Sequence, residues 1–224
     1  MTDQPAPADD PPPALIPDDP ILLLPGGTPH DAGPPWRPWT PADLAPRLAG
    51  VTAPWCVAAG WALDLFRGET TREHEDLEIA VPAAGFPAIR EALPELEWRA
   101  AGSGLLFPAD GPAFDLTHQT WGRSISGGFY RLDVFREPHQ GGTWICRRDA
   151  SIRRPYDTLI ARSADGIPYL MPEVVLLFKA KACRPKDLAD FMGALPLLTA
   201  PSRAWLAQSL RLVHPGHAWL ALLD

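Results

Sequence analysis

The stretch from Val57 to Val81, VAAGWALDLFRGETTREHEDLEIAV, constrains this chain more than any other. It opens apolar at Val57-Ala58-Ala59, turns at Gly60-Trp61, runs through a short helical pattern, WALDLF, and is stopped by Gly68. A polar loop, ETTREHE, leads into Asp76-Leu77-Glu78-Ile79-Ala80-Val81. These six residues alternate and then turn apolar, as a strand does when one end faces a site and the other enters a core. Residues i and i+2 of a strand share a face. Asp76 and Glu78 are therefore expected side by side, with Leu77 and Ile79 on the opposite face.

Two carboxylates that close repel, and burying them is costly unless something positive lies between them. A divalent metal answers that need, and hard oxygen ligands suit Mg²⁺, which commonly takes one or two carboxylates plus substrate phosphates. The Gly60-Trp61 turn supplies the other half of such a site. Glycine lets backbone approach a ligand, and the helix starting there aims free N–H groups at an anion in front of it. A metal site beside an anion cradle points to a nucleoside triphosphate.

A further acid stands in Phe129-Tyr130-Arg131-Leu132-Asp133-Val134-Phe135, a strand rich in aromatic and branched residues. An unpaired carboxylate buried there is costly, so a site role fits Asp133. Asp115, in Phe114-Asp115-Leu116, competes for that role on what reads as another short strand. Asp133 is preferred because its strand is longer and more regular. His74-Glu75 lacks the second histidine of a zinc-protease helix, since position 78 is Glu. His74 reads instead as loop structure or a substrate contact.

The order Gly-Trp, short helix, then Asp-x-Glu on a strand resembles the DNA polymerase beta-like nucleotidyltransferase superfamily. Within it, GWALDLFRG…TREHEDLEIAV is similar to the aminoglycoside/lincosamide nucleotidyltransferase branch. Ala59-Gly60 stands where that pattern has a glycine pair, and Glu78 where it has a second aspartate. The segment Lys179…Arg184-Pro185-Lys186-Asp187-Leu188-Ala189-Asp190-Phe191 is similar to a recurrent K…RPKDxxDF segment of bacterial nucleotidyltransferases. The resemblance spans roughly residues 40–220. It implies an α+β fold, a twisted mixed sheet with packed helices and a C-terminal helical part. It implies transfer of a nucleoside monophosphate from an NTP, expected to be ATP, to a hydroxyl of a small aminoglycoside-like acceptor, with release of pyrophosphate. Asp76, Glu78 and Asp133 would be the catalytic carboxylates and would hold two Mg²⁺ ions, Asp133 coming from the strand beside that of Asp76 and Glu78. Gly60, Trp61, Arg72, Lys179 and Lys186 would attend the nucleotide.

Two other functions stay open on the sequence. One is a toxin-type nucleotidyltransferase acting on tRNA, which the K…RPKDxxDF segment also matches. The other is a nucleotide-binding protein without catalysis, which Ala59 and Glu78 permit. Charge bears on the first. The chain carries a net −7, but residues 1–35 hold six aspartates and no Lys or Arg, leaving 21 acidic against 20 basic residues elsewhere. A nearly neutral folded part lacks the basic face that a large nucleic-acid footprint wants.

Three domains of organisation follow. Residues 1–35, rich in Pro, Asp, Ala and Gly, read as a disordered tail in which only Ile21-Leu22-Leu23-Leu24 could dock. Residues 36–170 read as the catalytic core and 171–224 as a helical region. Helices are expected at 40–48, 85–93, 171–183, from about 186, from Pro201, and in a short last segment ending at Leu223. Strands are expected at 54–59, 76–81, 97–101, 104–107, 114–117 and 129–135, a loop at 118–128 and a β-meander at 141–169. The 46% hydrophobic content supports a sizeable core. Three separated cysteines, Cys56, Cys146 and Cys183, read as buried free thiols of a reducing cytoplasm. No apolar run reaches the roughly 18 residues of a membrane span, and the zones of a signal peptide are not evident.

Overall fold

The computed structural model describes residues 19–223. Its strands are β1 (Thr28–Pro29), β2 (Cys56–Val57), β3 (Glu78–Pro82), β4 (Leu96–Gly102), β5 (Leu105–Pro108), β6 (Gln119–Ser124), β7 (Tyr130–Glu137), β8 (His139–Gln140), β9 (Thr143–Ile145), β10 (Arg153–Pro155), β11 (Ile160–Arg162) and β12 (Pro168–Leu170). Its α-helices are α1 (Pro41–Leu44), α2 (Ala59–Arg67), α3 (Phe86–Ala92), α4 (Ala113–Leu116), α5 (Tyr156–Leu159), α6 (Pro172–Lys179), α7 (Pro185–Ala194), α8 (Ala200–Val213) and α9 (Leu220–Leu223). The main sheet has the order β1-β5-β4-β6-β7-β3-β2-β12-β11, and β10-β9-β8 form a small second sheet. The main sheet is mixed. The β3–β7 and β2–β12 pairs are parallel and the others antiparallel. This is the α+β architecture expected from the sequence.

Local chemistry sets the element ends. Thr40 caps α1 by accepting from the Asp43 amide while Asp43 accepts from the Thr40 amide, and Pro41 fills the first helical position. Gly68 ends α2 in the left-handed region, where its amide donates to the Asp64 carbonyl. Helix α6 carries Val174 to Leu177, all buried, so apolar residues cover nearly its whole circumference. It can do so because α2, α7 and α8 pack around it. The largest core cluster runs through these helices and the β2, β3, β7 and β12 strands.

Several expectations change. The N-terminal tail was expected over residues 1–35. Residues 1–18 lie outside the described residues, but residues 20–35 pack on the sheet. Ile21 is buried against Ala100 and Phe107, β1 pairs with β5, and Ser103 donates to the Asp19 carboxylate. Burial of one isoleucine and a two-residue strand hold a segment whose composition alone favours disorder. Residues 113–116 form the helix α4 and not a strand, and residues 119–124 form the strand β6 inside the expected loop. The expected meander at 141–169 divides into the second sheet, α5 and the β11–β12 hairpin. The cysteines are free. Cys56 and Cys146 are buried, whereas Cys183 is exposed at a turn with φ +45°.

Among the described residues no helix is long and apolar enough to cross a membrane.

Candidate active site

The parallel β3–β7 ladder puts Glu78 directly opposite Asp133. Parallel register partners share a face, so their carboxyls project to the same side of the sheet. The Asp133 amide donates to the Leu77 carbonyl at 2.8 Å, which carries the ladder toward Asp76. Asp115, the other candidate for the third carboxylate, is exposed on α4.

The electrostatics of this group are unfavourable without a counter-charge. Asp133 is 3% exposed, and its carboxyl is pushed up to about 7, chiefly by burial and further by the Asp76 charge. The Gln119 side-chain amide donates to its Oδ2 at 2.7 Å and opposes that rise. Its other oxygen, Oδ1, is buried without a hydrogen-bond partner. Glu78 is held well above the ordinary carboxylate range, first by burial and then by Asp76 and Asp133, while Lys179 pulls the other way. Among the described residues no three His, Cys, Asp or Glu side chains form a ready cage for a metal ion. The donor set still fits a hard divalent cation. Mg²⁺ needs only one or two protein carboxylates when phosphate oxygens and water complete its shell, and Asp133 Oδ1 is an oxygen in need of a positive partner.

Beside the acids, β2 delivers the chain to the start of α2. Ala59 has φ +48°, a left-handed conformation unusual for a residue with a Cβ. Gly60 is required by contact. A Cβ there would lie 2.4 Å from an Arg72 guanidinium nitrogen and 2.8 Å from the His74 ring. The polar loop 69–75 is thus folded directly onto the helix start. Asp64, on the buried face of α2, fastens it. Thr71 Oγ1 donates to Asp64 Oδ1 at 2.7 Å, the Thr71 amide donates to Oδ2 at 3.2 Å, and His74 Nε2 lies 2.7 Å from Oδ2. A carboxylate only accepts, so that His74 nitrogen carries the proton. Burial, chiefly, holds the His74 ring below its ordinary pKa despite Asp64, so it is neutral near pH 7. Trp61 stacks on it with centroids 4.2 Å apart.

The basic segment closes the other side. Lys179, at the end of α6, lies 2.8 Å from Asp190 and 3.3 Å from Asp187. Arg184 binds Asp187 at 2.8 Å, Arg72 reaches Asp190 at 3.6 Å, and Lys186 reaches Glu75 at 3.4 Å. Asp187 and Asp190 thus hold Lys179, Arg184 and Arg72, and Glu75 holds Lys186.

The cleft has a volume of about 250 Å³. Gly60, Arg72, Asp76, Glu78, Lys179 and Lys186 all line it. Asp133 sits behind Glu78 in the strand ladder. Trp61 does not reach the cleft wall and packs on the outer side of the loop with His74. The sequence reading passed over Asp64, although a carboxylate among Ala62, Leu63 and the other buried residues of α2 demands partners. It also passed over Gln119, hidden in the segment read as a loop, and over Glu137, which follows Asp133 and Phe135 at period two on the same face of β7. Glu137 is buried, accepts from the Trp144 indole at 2.9 Å and is paired with Arg147.

The aminoglycoside-2''-adenylyltransferase family matches residues 43–102, the segment that holds α2 and the acidic strand. The crystal structure of ANT(2'')-Ia with adenylyl-2''-tobramycin superposes with a TM-score of 0.50 at 13% identity, covering 75% of this chain and 93% of that one. The lincosamide antibiotic adenylyltransferase LnuA with lincomycin gives 0.48 at 16% identity, over 67% of this chain and 91% of that one. A nucleotidyltransferase-like protein from Paracoccidioides brasiliensis gives 0.45 at 18%, over 81% and 89%. No curated protein matches the sequence. The shared fold and the family match over residues 43–102 liken the chain to nucleotidyltransferases. Within that class it resembles the aminoglycoside/lincosamide branch. The tRNA-directed and binding-only readings gain no support from these likenesses.

Proposed function

We propose that this protein transfers a nucleoside monophosphate from a magnesium–NTP complex, ATP first among the candidates, to a hydroxyl of a small molecule and releases pyrophosphate. The observation that carries this reading is the pairing of Glu78 with Asp133 across β3 and β7, beside Asp76 and beneath the start of α2. Asp76, Glu78 and Asp133 would hold the metal. When bound, Mg²⁺ supplies Lewis-acid chemistry, making the acceptor hydroxyl more acidic and neutralising the leaving pyrophosphate.

The chain's own groups do the rest. The first N–H groups of α2 would cradle phosphate oxygens, while Gly60 makes room for Arg72 and His74 beside them. Arg72, Lys179 and Lys186 add positive charge to the cleft; Asp187 and Asp190 orient the first two and Glu75 orients Lys186. Asp133 would double as the base that takes the proton of the attacking hydroxyl. Asp64 fixes the loop that carries Arg72 and His74, so its role is positional.

LnuA is described as a lincosamide antibiotic adenylyltransferase and ANT(2'')-Ia was solved with adenylyl-2''-tobramycin, which makes small hydroxylated compounds the first acceptors to try. The test is a pyrophosphate-release screen across the four NTPs and a set of such compounds. Asp76→Ala should abolish release while circular dichroism stays native. Turnover retained in that variant would refute the mechanism.

A further inference from the structure

The cleft does not end at the acids. It continues down the same face of the sheet, past Ala80 and Phe135, to Glu137, four residues beyond Asp133 on β7. At about 3.3 Å per residue that is about 13 Å along the strand. The walls there come from Ala80, Phe135, Trp144, Tyr156, Leu170 and Phe178. A small molecule with a hydroxyl at the carboxylates could lie along this chamber.

The charges on the cleft wall restrict what that molecule can be. Apart from Asp76 and Glu78, each carboxylate lining the cleft already has a cation of the chain. Glu137 has Arg147, Asp187 has Arg184 and Lys179, and Glu75 has Lys186. Arg148 adds a positive charge with no carboxylate against it. Its guanidinium donates to the Leu177 and Phe178 carbonyls, each at 2.9 Å. Arg147 and Arg148 both lie over the Phe178 ring, at 4.3 and 4.7 Å from its centroid. Past Asp76 and Glu78, a polycation would meet arginines and find no unengaged carboxylate among the lining residues. The chamber does have one polar group in want of a partner, the Tyr156 hydroxyl, buried with no hydrogen bond. A neutral hydroxyl or ether oxygen satisfies it without bringing charge.

Resting on the nucleotidyl-transfer reading, we infer that the acceptor is an uncharged, hydroxyl-bearing compound with an aromatic or aliphatic body, held in the Phe135–Trp144–Tyr156–Phe178 chamber, and not a polyamine such as an aminoglycoside. Apolar burial supplies its affinity, and the Tyr156 hydroxyl sets its orientation.

Calorimetric titration of the full chain without nucleotide tests this. The probes are uncharged aryl glycosides, phenyl β-D-glucopyranoside first, and tobramycin as the polycation. The aryl glycosides are expected to bind about tenfold more tightly than tobramycin or better. Ala80→Leu, which fills the chamber, is expected to weaken that binding about tenfold while leaving Mg·ATP affinity within about twofold. Tyr156→Phe removes an unpaired group and keeps the fold, so it serves if Ala80→Leu does not fold. It should weaken aryl glycoside binding about fivefold to tenfold. Tobramycin binding as tightly as the glycosides, no glycoside binding, or glycoside binding indifferent to the variants that fold would overturn the inference. Pyrophosphate release separates it from the underlying reading. Chamber binding that responds to the variants, with no release from any NTP, would remove the transfer reaction and keep the chamber.

Discussion

Glu78 and Asp133, 55 residues apart in the chain, are direct register partners across a parallel strand pair, and both carboxyls are driven above their ordinary range by burial and by the neighbouring Asp76. The arrangement opposes folding unless something positive arrives, and a metal–nucleotide complex of the kind proposed above would supply it. The fold holds the acids together through backbone hydrogen bonds, including Asp133 amide to Leu77 carbonyl, so their mutual repulsion cannot separate them.

Removing that repulsion should therefore stabilise the protein and disable it. Asp133→Asn is expected to raise the unfolding free energy by about 1–3 kcal/mol, since a buried charge with one unpartnered oxygen is lost. Its rate of pyrophosphate release should fall by about 10²-fold or more. Urea titration and a coupled pyrophosphate assay read the two effects. Loss of stability together with full activity would contradict this view of the site.

Asp64 offers the reverse case. Asp64→Ala removes a carboxylate that accepts from Thr71 twice and meets His74 at 2.7 Å. The loss should be about 2–4 kcal/mol of stability, with those donors left buried. Because the loop it anchors carries Arg72, the KM for ATP should rise more than kcat falls. An unchanged KM with a reduced kcat would place Asp64 in the chemistry.

The left-handed Ala59 carries backbone strain at the helix start. Ala59→Gly should relieve it and stabilise the fold by about 1 kcal/mol, the reverse of an ordinary Ala→Gly change within a helix. Chemical denaturation gives the sign directly.

His118 sets a pH dependence of its own. Burial, and after it the charges of Arg147, Arg136, Arg148 and Lys181, lower its pKa from 6.5 to about 4. The native state therefore binds this proton less readily than the unfolded chain does. Its contribution to stability is full above pH 6.5 and is lost as pH falls toward 4, at most about 3 kcal/mol. In His118→Gln the decline of stability between pH 7 and 4.5 should be shallower than in the native sequence. Equal slopes would mean that His118 is not held neutral.

How much of this the sequence disclosed follows from the period of each element. Strands β3 and β7 carry enough apolar and branched residues to be read, although β3 begins at Glu78 and leaves Asp76, expected on it, just before its start. That Asp133 stands beside them was expected from the family resemblance and not from any local pattern. Strand β6 escaped because the side chains it buries are Thr120, Gly122 and Ser124, so its buried face carries no apolar signal. Gly122 is there for space, since a Cβ would meet Leu96 at 2.8 Å and Trp98 at 3.0 Å. With β6 went Gln119, the hydrogen-bond partner of Asp133. Helix α4 is one turn long, too short to display a 3.6-residue period. The docking of residues 20–35 depends on Gly27 and Gly102, whose missing side chains admit Phe107 and Ile21, a relation between distant parts of the chain that composition does not express.

The most direct measurement is pyrophosphate release from Mg·ATP with a hydroxylated acceptor, comparing the native chain with Glu78→Gln. The account predicts release matched by an adenylylated product for the native chain, and a rate lower by about 10²-fold or more for a folded Glu78→Gln. A Glu78→Gln protein that turns over at the native rate would contradict it.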